Sequence, residues 1–283
     1  MDLQAYLRRM NYRGERAPIA ATLRDLHRAH LLAVPFENLD IHLGRTILLG
    51  EESLFDKIVR RRRGGFCYEL NGLFALLLRE LGFEVTLLSA GVAHADGGFG
   101  PEFDHLTLLV TTDDRPPTID HQFPTDDEQR TTKADMQSTI YNLQSAGWLA
   151  DVGFGDSFRD PLRFVEAAEQ EQDGRAYRID RDGDHLTLMQ RDADGWAPQY
   201  RFTLQPHTQG EYTDMCHYHQ TSPASSFTRK RVCTLATPDG RITLSDLQLI
   251  VTTRGERTAQ VLPDELAFQA ALREHFGIEL ALV

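Results

Sequence analysis

Three residues carry side chains capable of acyl chemistry in settings that suit it. Cys67 stands in R-G-G-F-C-Y-E-L-N (63–71), after two glycines and before an apolar run. Leu70, Leu73, Phe74, Leu77 and Leu81 recur at three or four, which predicts a helix over 68–81 capped by Gly82. Cys67 would then sit at or just before the first turn, where unpaired N–H groups and the helix dipole favour an anion. Gly64 and Gly65 allow tight chain approach and space before the sulfur. The plainer account is an inert cysteine packed as a small hydrophobe. His105 opens the run H-L-T-L-L-V, where a strand end would present it at a cleft or merely cap the strand. Asp151 lies within W-L-A-D-V-G-F-G, where an acid among apolar strand residues is costly unless paired. A thiol nucleophile needs a base, and the base needs an orienting acceptor, so an imidazole held by Asp151 would justify that cost. A turn acid before Gly153 is the alternative.

A fourth cluster, C-H-Y-H at 216–219, groups Cys216, His217 and His219. Structural zinc sites use a second ligand pair elsewhere, and Cys233 does not complete one. A plain strand is expected there, and no metal.

These residues need elements to hold them. Helices are expected over 2–10, 19–32, with Leu23, Leu26 and His30 on one face, and 52–62, ending in Arg60, Arg61, Arg62 and Arg63. Beyond about 83 the texture turns to strands: F-E-V-T-L-L-S-A-G-V, H-L-T-L-L-V-T-T, W-L-A-D-V-G-F-G, Y-R-I-D, H-L-T-L-M-Q and Q-Y-R-F-T-L. Such runs between turn residues suggest an antiparallel sheet or barrel. A polar stretch at about 112–147 reads as a loop insertion. The last 70 or so residues add R-V-C-T-L-A-T and R-I-T-L-S-D-L-Q-L-I-V as strands and a helix over 263–275. No internal repeat, Walker A sequence or Rossmann fingerprint is present.

The chain of 283 residues is long enough for two or three domains, and its 41% hydrophobic and 25% charged content is that of a globular protein. A formal charge of −12 argues against nucleic acid and anionic membrane as partners. Three cysteines, 67, 216 and 233, form no disulfide framework. The opening M-D-L-Q-A-Y-L-R-R-M has no apolar signal-peptide core, and L-F-A-L-L-L (73–78) is too short to span a bilayer. A cytoplasmic protein, monomer or homodimer, is expected.

R-G-G-F-C-Y-E-L-N resembles the active-site signature of arylamine N-acetyltransferases. V-P-F-E-N-L (34–39), H-L-T-L-L-V (105–110), D-V-G-F-G (151–155), S-P-A-S-S-F (222–227) and F-G-I-E-L (276–280) follow in the family's order, so the resemblance covers most of the chain. It implies an α+β multidomain fold with a cysteine-protease-like Cys-His-Asp triad carried by Cys67, His105 and Asp151. It also implies a helical bundle (1–84), an antiparallel β-barrel (85–205) and a C-terminal α/β lid (206–283). The implied activity is ping-pong acetyl transfer from acetyl-CoA, as co-substrate, to an arylamine or arylhydrazine. No tightly bound cofactor is implied. By the same resemblance Phe36 and Phe154 line the acceptor pocket, although either would also serve as core packing. Gly153 and Gly155 let CoA pass close to the backbone. Glu37 and Arg63 form an ion pair between N-terminal segments, and Ser226, Phe227 and Thr228 belong to a lid stretch facing the cleft. The family joins the His and Asp strands by a short hairpin, whereas residues 106–150 separate them here. Two other readings keep the triad logic: an amide synthase that closes macrolactams from a carrier protein, and a cysteine hydrolase.

Overall fold

The structure, a computed structural model, describes residues 1–113, 147–192 and 194–280. Helices α1 (Leu3–Arg9) and α2 (Ala20–Ala33), the short strand β1 (Phe36–Glu37), and helices α3 (Leu39–His42), α4 (Glu51–Phe55) and α5 (Cys67–Glu80) come first. The helix expected over 52–62 is instead α4 followed by one wide π-turn, Asp56–Arg60. That turn buries three consecutive residues, Lys57, Ile58 and Val59, which a regular helix spreads over different faces.

Lys57 can be buried because it has partners. Its Nζ lies 2.7 Å from Glu69 and 2.9 Å from Asp40. Arg63 adds contacts of 2.8 Å to Glu37 and 3.0 Å to Asp40. The ion pair expected between Glu37 and Arg63 is thus one link in a buried five-residue network. The network ties β1 and the π-turn to the first turn of α5. Glu69 also accepts the Phe66 N–H at 3.1 Å, fixing the residue just before Cys67. Burial pushes the Glu69 carboxyl up to about 7, with Lys57 pulling against it.

An eight-stranded antiparallel sheet follows in the order β5-β4-β3-β2-β9-β8-β7-β6. Its strands are β2 (Glu84–Val92), β3 (His105–Thr111), β4 (Gly147–Ala150), β5 (Leu162–Arg163), β6 (Gln170–Gln172), β7 (Arg175–Asp182), β8 (His185–Asp192) and β9 (Gly195–His207). A bridge between Glu166 and Ile179, and hydrogen bonds between the Gln170 side chain and the Arg163 backbone, bring the two edges together. The sheet is therefore a nearly closed barrel around Leu88, Leu109, Leu149, Phe164, Leu188 and Phe202. Strand β4 ends at Ala150, so Asp151 is not in a strand as expected. It is the first residue of a loop, free to turn its carboxylate toward α5.

Residues 216–219 lie in the helix Thr213–Thr221, not in a strand. Cys216 and His219, three apart, share its buried side, and His217 is exposed. A short helix, Ser226–Arg229, precedes the second sheet, ordered β1-β10-β11-β12-β13. Strands β10 (Val232–Thr237), β11 (Gly240–Ser245), β12 (Gln248–Thr253) and β13 (Glu256–Val261) form a meander. R-I-T-L-S-D-L-Q-L-I-V is thus a hairpin, turned at Asp246 and Leu247, because Asp246 adopts a positive φ of 47°. The helix Glu265–Phe276 covers this sheet through Phe268, Leu272 and Phe276. The expected loop insertion at 112–147 lies almost wholly outside the described residues. No helix among them is long and apolar enough to cross a membrane.

Candidate active site

Cys67 is the first residue of α5, and the chain that delivers it is pinned on both sides. Glu37 N–H donates to Gly65 O at 2.8 Å, and Phe36 pairs with Thr234 of β10. A Cβ at residue 64 would lie 1.9 Å from Pro35 O, and one at 65 would lie 2.6 Å from a Glu69 oxygen. These two glycines therefore serve chain packing behind the cysteine rather than free space before the sulfur.

His105 opens β3, and its Nε2–H donates to Asp151 Oδ2 at 2.7 Å. All three residues are buried, with exposures of 4% for Cys67, 3% for His105 and 1% for Asp151. Since Nε2 is committed to Asp151, Nδ1 is the ring nitrogen left for the Cys67 sulfur. Burial opposes a charge on His105, but the Asp151 carboxylate and the Cys67 sulfur beside it outweigh that and lift the ring to about 10. Burial likewise works to raise the Asp151 carboxyl. The His105 charge, Asn71 and the Gly153 N–H prevail and hold it below the usual carboxylate range.

Asp151 is held by residues that periodicity did not mark. Asn71 Nδ2 donates to its Oδ1 at 2.8 Å and to Leu106 O at 2.6 Å, while Asn71 Oδ1 accepts from Val152 N–H at 2.8 Å. Gly153 N–H donates to the same Oδ1 at 3.0 Å. From α2, His27 Nε2 accepts the Asp151 N–H at 3.0 Å and Nδ1–H donates to Arg159 O at 2.7 Å. These two bonds fix a neutral tautomer, in keeping with burial lowering the ring's pKa. Asn71 closes the quoted cysteine stretch four residues after Cys67, so its shared face was readable, but its partner was not. The Tyr200 ring packs 5.1 Å from His105 and 5.2 Å from Phe154, and its hydroxyl contacts Thr107 at 3.2 Å.

Cys67 and His105 open onto a cleft of about 740 Å³ walled by Phe36, Phe154, Met215, Tyr218 and Phe227. Phe36 and Phe154 thus both reach the cleft holding the sulfur. Gly153 lines it as well. A Cβ there would lie 2.7 Å from Cys67 Cα, so the 151–155 loop can rest on α5 only with glycine at this position. Gly155 has a φ of 92° and backs onto the Phe36 ring. Ser226 and Phe227 line the cleft, whereas Thr228 turns its hydroxyl to the Ser222 and Ser225 carbonyls. The other cysteines are buried thiols whose pKa burial pushes up. Among the described residues, no group of three His, Cys, Asp or Glu side chains could hold a metal ion.

The α+β fold buries a cysteine, an imidazole and a carboxylate beside a cleft with aromatic walls, an arrangement suited to a thiol nucleophile. A family model for N-acetyltransferases matches residues 20–141 and 125–283. The chain is 34% identical to the arylamine N-acetyltransferase of Mycolicibacterium smegmatis, over 99% of this chain and 93% of that one. It is 32% identical to the Escherichia coli arylamine N-acetyltransferase, over 98% and 88%. The arylamine N-acetyltransferase structure from Salmonella typhimurium superposes with a TM-score of 0.84 at 30% identity, over 99% and 92%. That of Mycobacterium marinum in complex with CoA gives 0.81 at 32%, over 98% and 93%. This chain belongs to the arylamine N-acetyltransferase family and is an acyltransferase.

Proposed function

We propose that this enzyme transfers an acetyl group from acetyl-CoA to an arylamine, arylhydrazine or related amine through an acetyl-cysteine at Cys67. The observation that carries this is the buried His105–Asp151 pair at 2.7 Å, with the second ring nitrogen left for the sulfur. A raised imidazole keeps its proton at neutral pH, so a cation stands beside the sulfur that is to attack. The thiolate attacks the thioester carbonyl, the C–S bond to CoA breaks, and the departing CoA sulfur takes the His105 proton. The amine then attacks the acetyl-cysteine carbonyl. Its proton passes to His105 as the C–S bond to Cys67 breaks, and the thiolate–imidazolium pair is restored. An arylamine is a weak base and reaches the site neutral and nucleophilic. Phe36 and Phe154 suit its flat ring, and Gly153 and Gly155 suit passage of the CoA arm along the backbone.

Three cores support a three-domain reading of 1–84, 85–205 and 206–283. One is centred on the helices, one fills the barrel, and one lies between the second sheet and its C-terminal helix. The test is intact mass after mixing with acetyl-CoA. A gain of about 42 Da is expected, absent in Cys67→Ala and discharged by an arylamine, as covalent catalysis requires. No adduct in a single turnover would sink the proposal.

A further inference from the structure

The cleft holds a second acid–imidazole–hydroxyl series that the proposed transfer does not use. His219 Nε2 lies 3.2 Å from Asp104 Oδ1, and His219 Nδ1 lies 3.1 Å from Ser225 Oγ. All three residues line the same cleft as Cys67 and His105. A carboxylate accepts only, so the facing Nε2 carries a proton. In the neutral ring Nδ1 is then an acceptor and takes the Ser225 hydroxyl proton. That leaves the Ser225 oxygen to accept the Phe227 N–H at 3.2 Å.

Phe227 is what this series ends on. Its ring meets the His219 ring at 5.2 Å and the Phe36 ring at 6.2 Å, and its carbonyl accepts from Asn38 Nδ2 at 2.9 Å. One aromatic wall of the cleft thus stands at the end of a chain of polar contacts that begins at Asp104, next to His105 in sequence.

The place of Asp104 is built rather than incidental. Its Oδ2 accepts the Val92 N–H at 3.1 Å, and its backbone carbonyl accepts from the Tyr68 hydroxyl at 3.1 Å. A Cβ at residue 100 would lie 2.2 Å from Oδ2, so Gly100 leaves the room the carboxylate needs. Burial works to raise this carboxyl, but the His219 ring and the Val92 N–H hold it below the usual range. An acid–imidazole pair in a wall shared with Phe36, Phe154 and Phe227 is often less stabilising than an apolar pair of the same size. Its presence therefore calls for a use other than stability.

We propose that Asp104, acting through His219 and Ser225, positions Phe227 and so governs the acceptor half of the transfer. These are positioning residues: none is required to touch the reacting atoms. The inference rests on the acetyl-cysteine pathway through Cys67, and the test separates the two. In Asp104→Asn the amide nitrogen faces His219 Nε2, so the ring moves its proton to Nδ1. The Ser225 oxygen must then accept from both Nδ1–H and Phe227 N–H, and its own proton turns away. Shape is kept and the direction of the bonds is reversed.

The two half-reactions are measured separately by quenched-flow mass. In Asp104→Asn and His219→Leu, acetyl-enzyme formation should stay within about twofold of the unaltered protein. Discharge by an arylamine should slow about tenfold or more, with KM for the amine raised. Discharge by water, which needs no wall, should not slow. A merely structural role would slow both half-reactions together, and that result overturns the proposal, as does no change in either. Should those variants fail to fold, Ser225→Ala breaks the series at its far end and is judged by the same split. If the unaltered protein forms no acetyl-enzyme, the pathway reading itself has failed. If it forms one and the split is absent, only this inference has.

Discussion

Burial alone would strip the proton from His105; the Asp151 carboxylate 2.7 Å away and the Cys67 sulfur reverse that and raise the ring to about 10. The folded value lies above the unfolded one of about 6.5. The charged ring's contribution to stability is therefore fully present below about 6.5 and is lost as pH rises through about 10. Urea unfolding of the wild type and of His105→Gln at pH 6, 8 and 10 reads this directly. The stability gap between them should be widest at pH 6 and shrink steadily to pH 10; a constant gap would mean the ring is not held charged. Asn71 shows what was and was not legible at this scale. Its place one turn after Cys67 is written in the helix period, but its bond to Asp151 joins residues 80 apart. Likewise Leu23, Leu26 and His30 mark the buried face of α2, yet it is His27 that bonds to the Asp151 backbone. Periodicity reports a face, not which distant group the face will meet.

At the scale of elements, the site is a contact between the start of α5 and the loop after β4. That contact is close: a Cβ on residue 153 would sit 2.7 Å from Cys67 Cα and 2.8 Å from Asn71 Nδ2. Backbone cannot yield as a flexible side chain would, so Gly153→Ala should push the loop, and Asp151 with it, off α5. The expected cost is about 1–3 kcal/mol of stability. Acetyl-enzyme formation should fall on the order of 100-fold, because a displacement near 1 Å is enough to misalign reacting groups. Denaturation and single-turnover mass would show both. Wild-type rates in a folded Gly153→Ala protein would show that the close approach does not position the acid. The elements themselves were mostly readable from sequence. Where they were not, burial of polar groups is the cause. The π-turn at Asp56–Arg60 exists to seat Lys57 against Glu69 and Asp40, and the helix at 213–221 turns His219 toward Asp104.

On the scale of the whole molecule, the His opens β3 and the Asp directly follows the neighbouring strand β4, although residues 106–150 lie between them in sequence. Val110 pairs with Trp148 and Thr111 with Gly147, so the strand ends stand side by side where the intervening chain leaves and returns. Loop closure grows only slowly with length, which lets a long connection be tolerated there. Replacing residues 114–146 with a short turn should therefore leave thermal stability and acetyl-enzyme formation near wild type. The range of accepted amines should change, which a panel of arylamines would measure. Loss of the acetyl-enzyme in a folded protein would show that the site depends on the connection. Longer-range ties hold the rest together. Arg159, in the loop after β4, donates to the Thr237, Pro238 and Gly240 carbonyls of the β10–β11 hairpin, joining the barrel to the second sheet.

The sequence by itself determined the local order: apolar residues spaced three or four apart make α5, alternating runs make the strands, and the cysteine is set at a helix start. It also carried enough of the family's landmarks, in order, to name the three side chains of the candidate site. Only the tertiary structure decided that they meet, that Asn71, His27 and Gly153 hold them there, and that a second acid–imidazole pair stands in the same cleft. The reason is physical. Local patterns follow from dihedral preferences and the burial of one face, which neighbours in sequence settle among themselves. Ion pairs and buried hydrogen bonds between distant segments depend on desolvation and distances that exist only once those segments have packed.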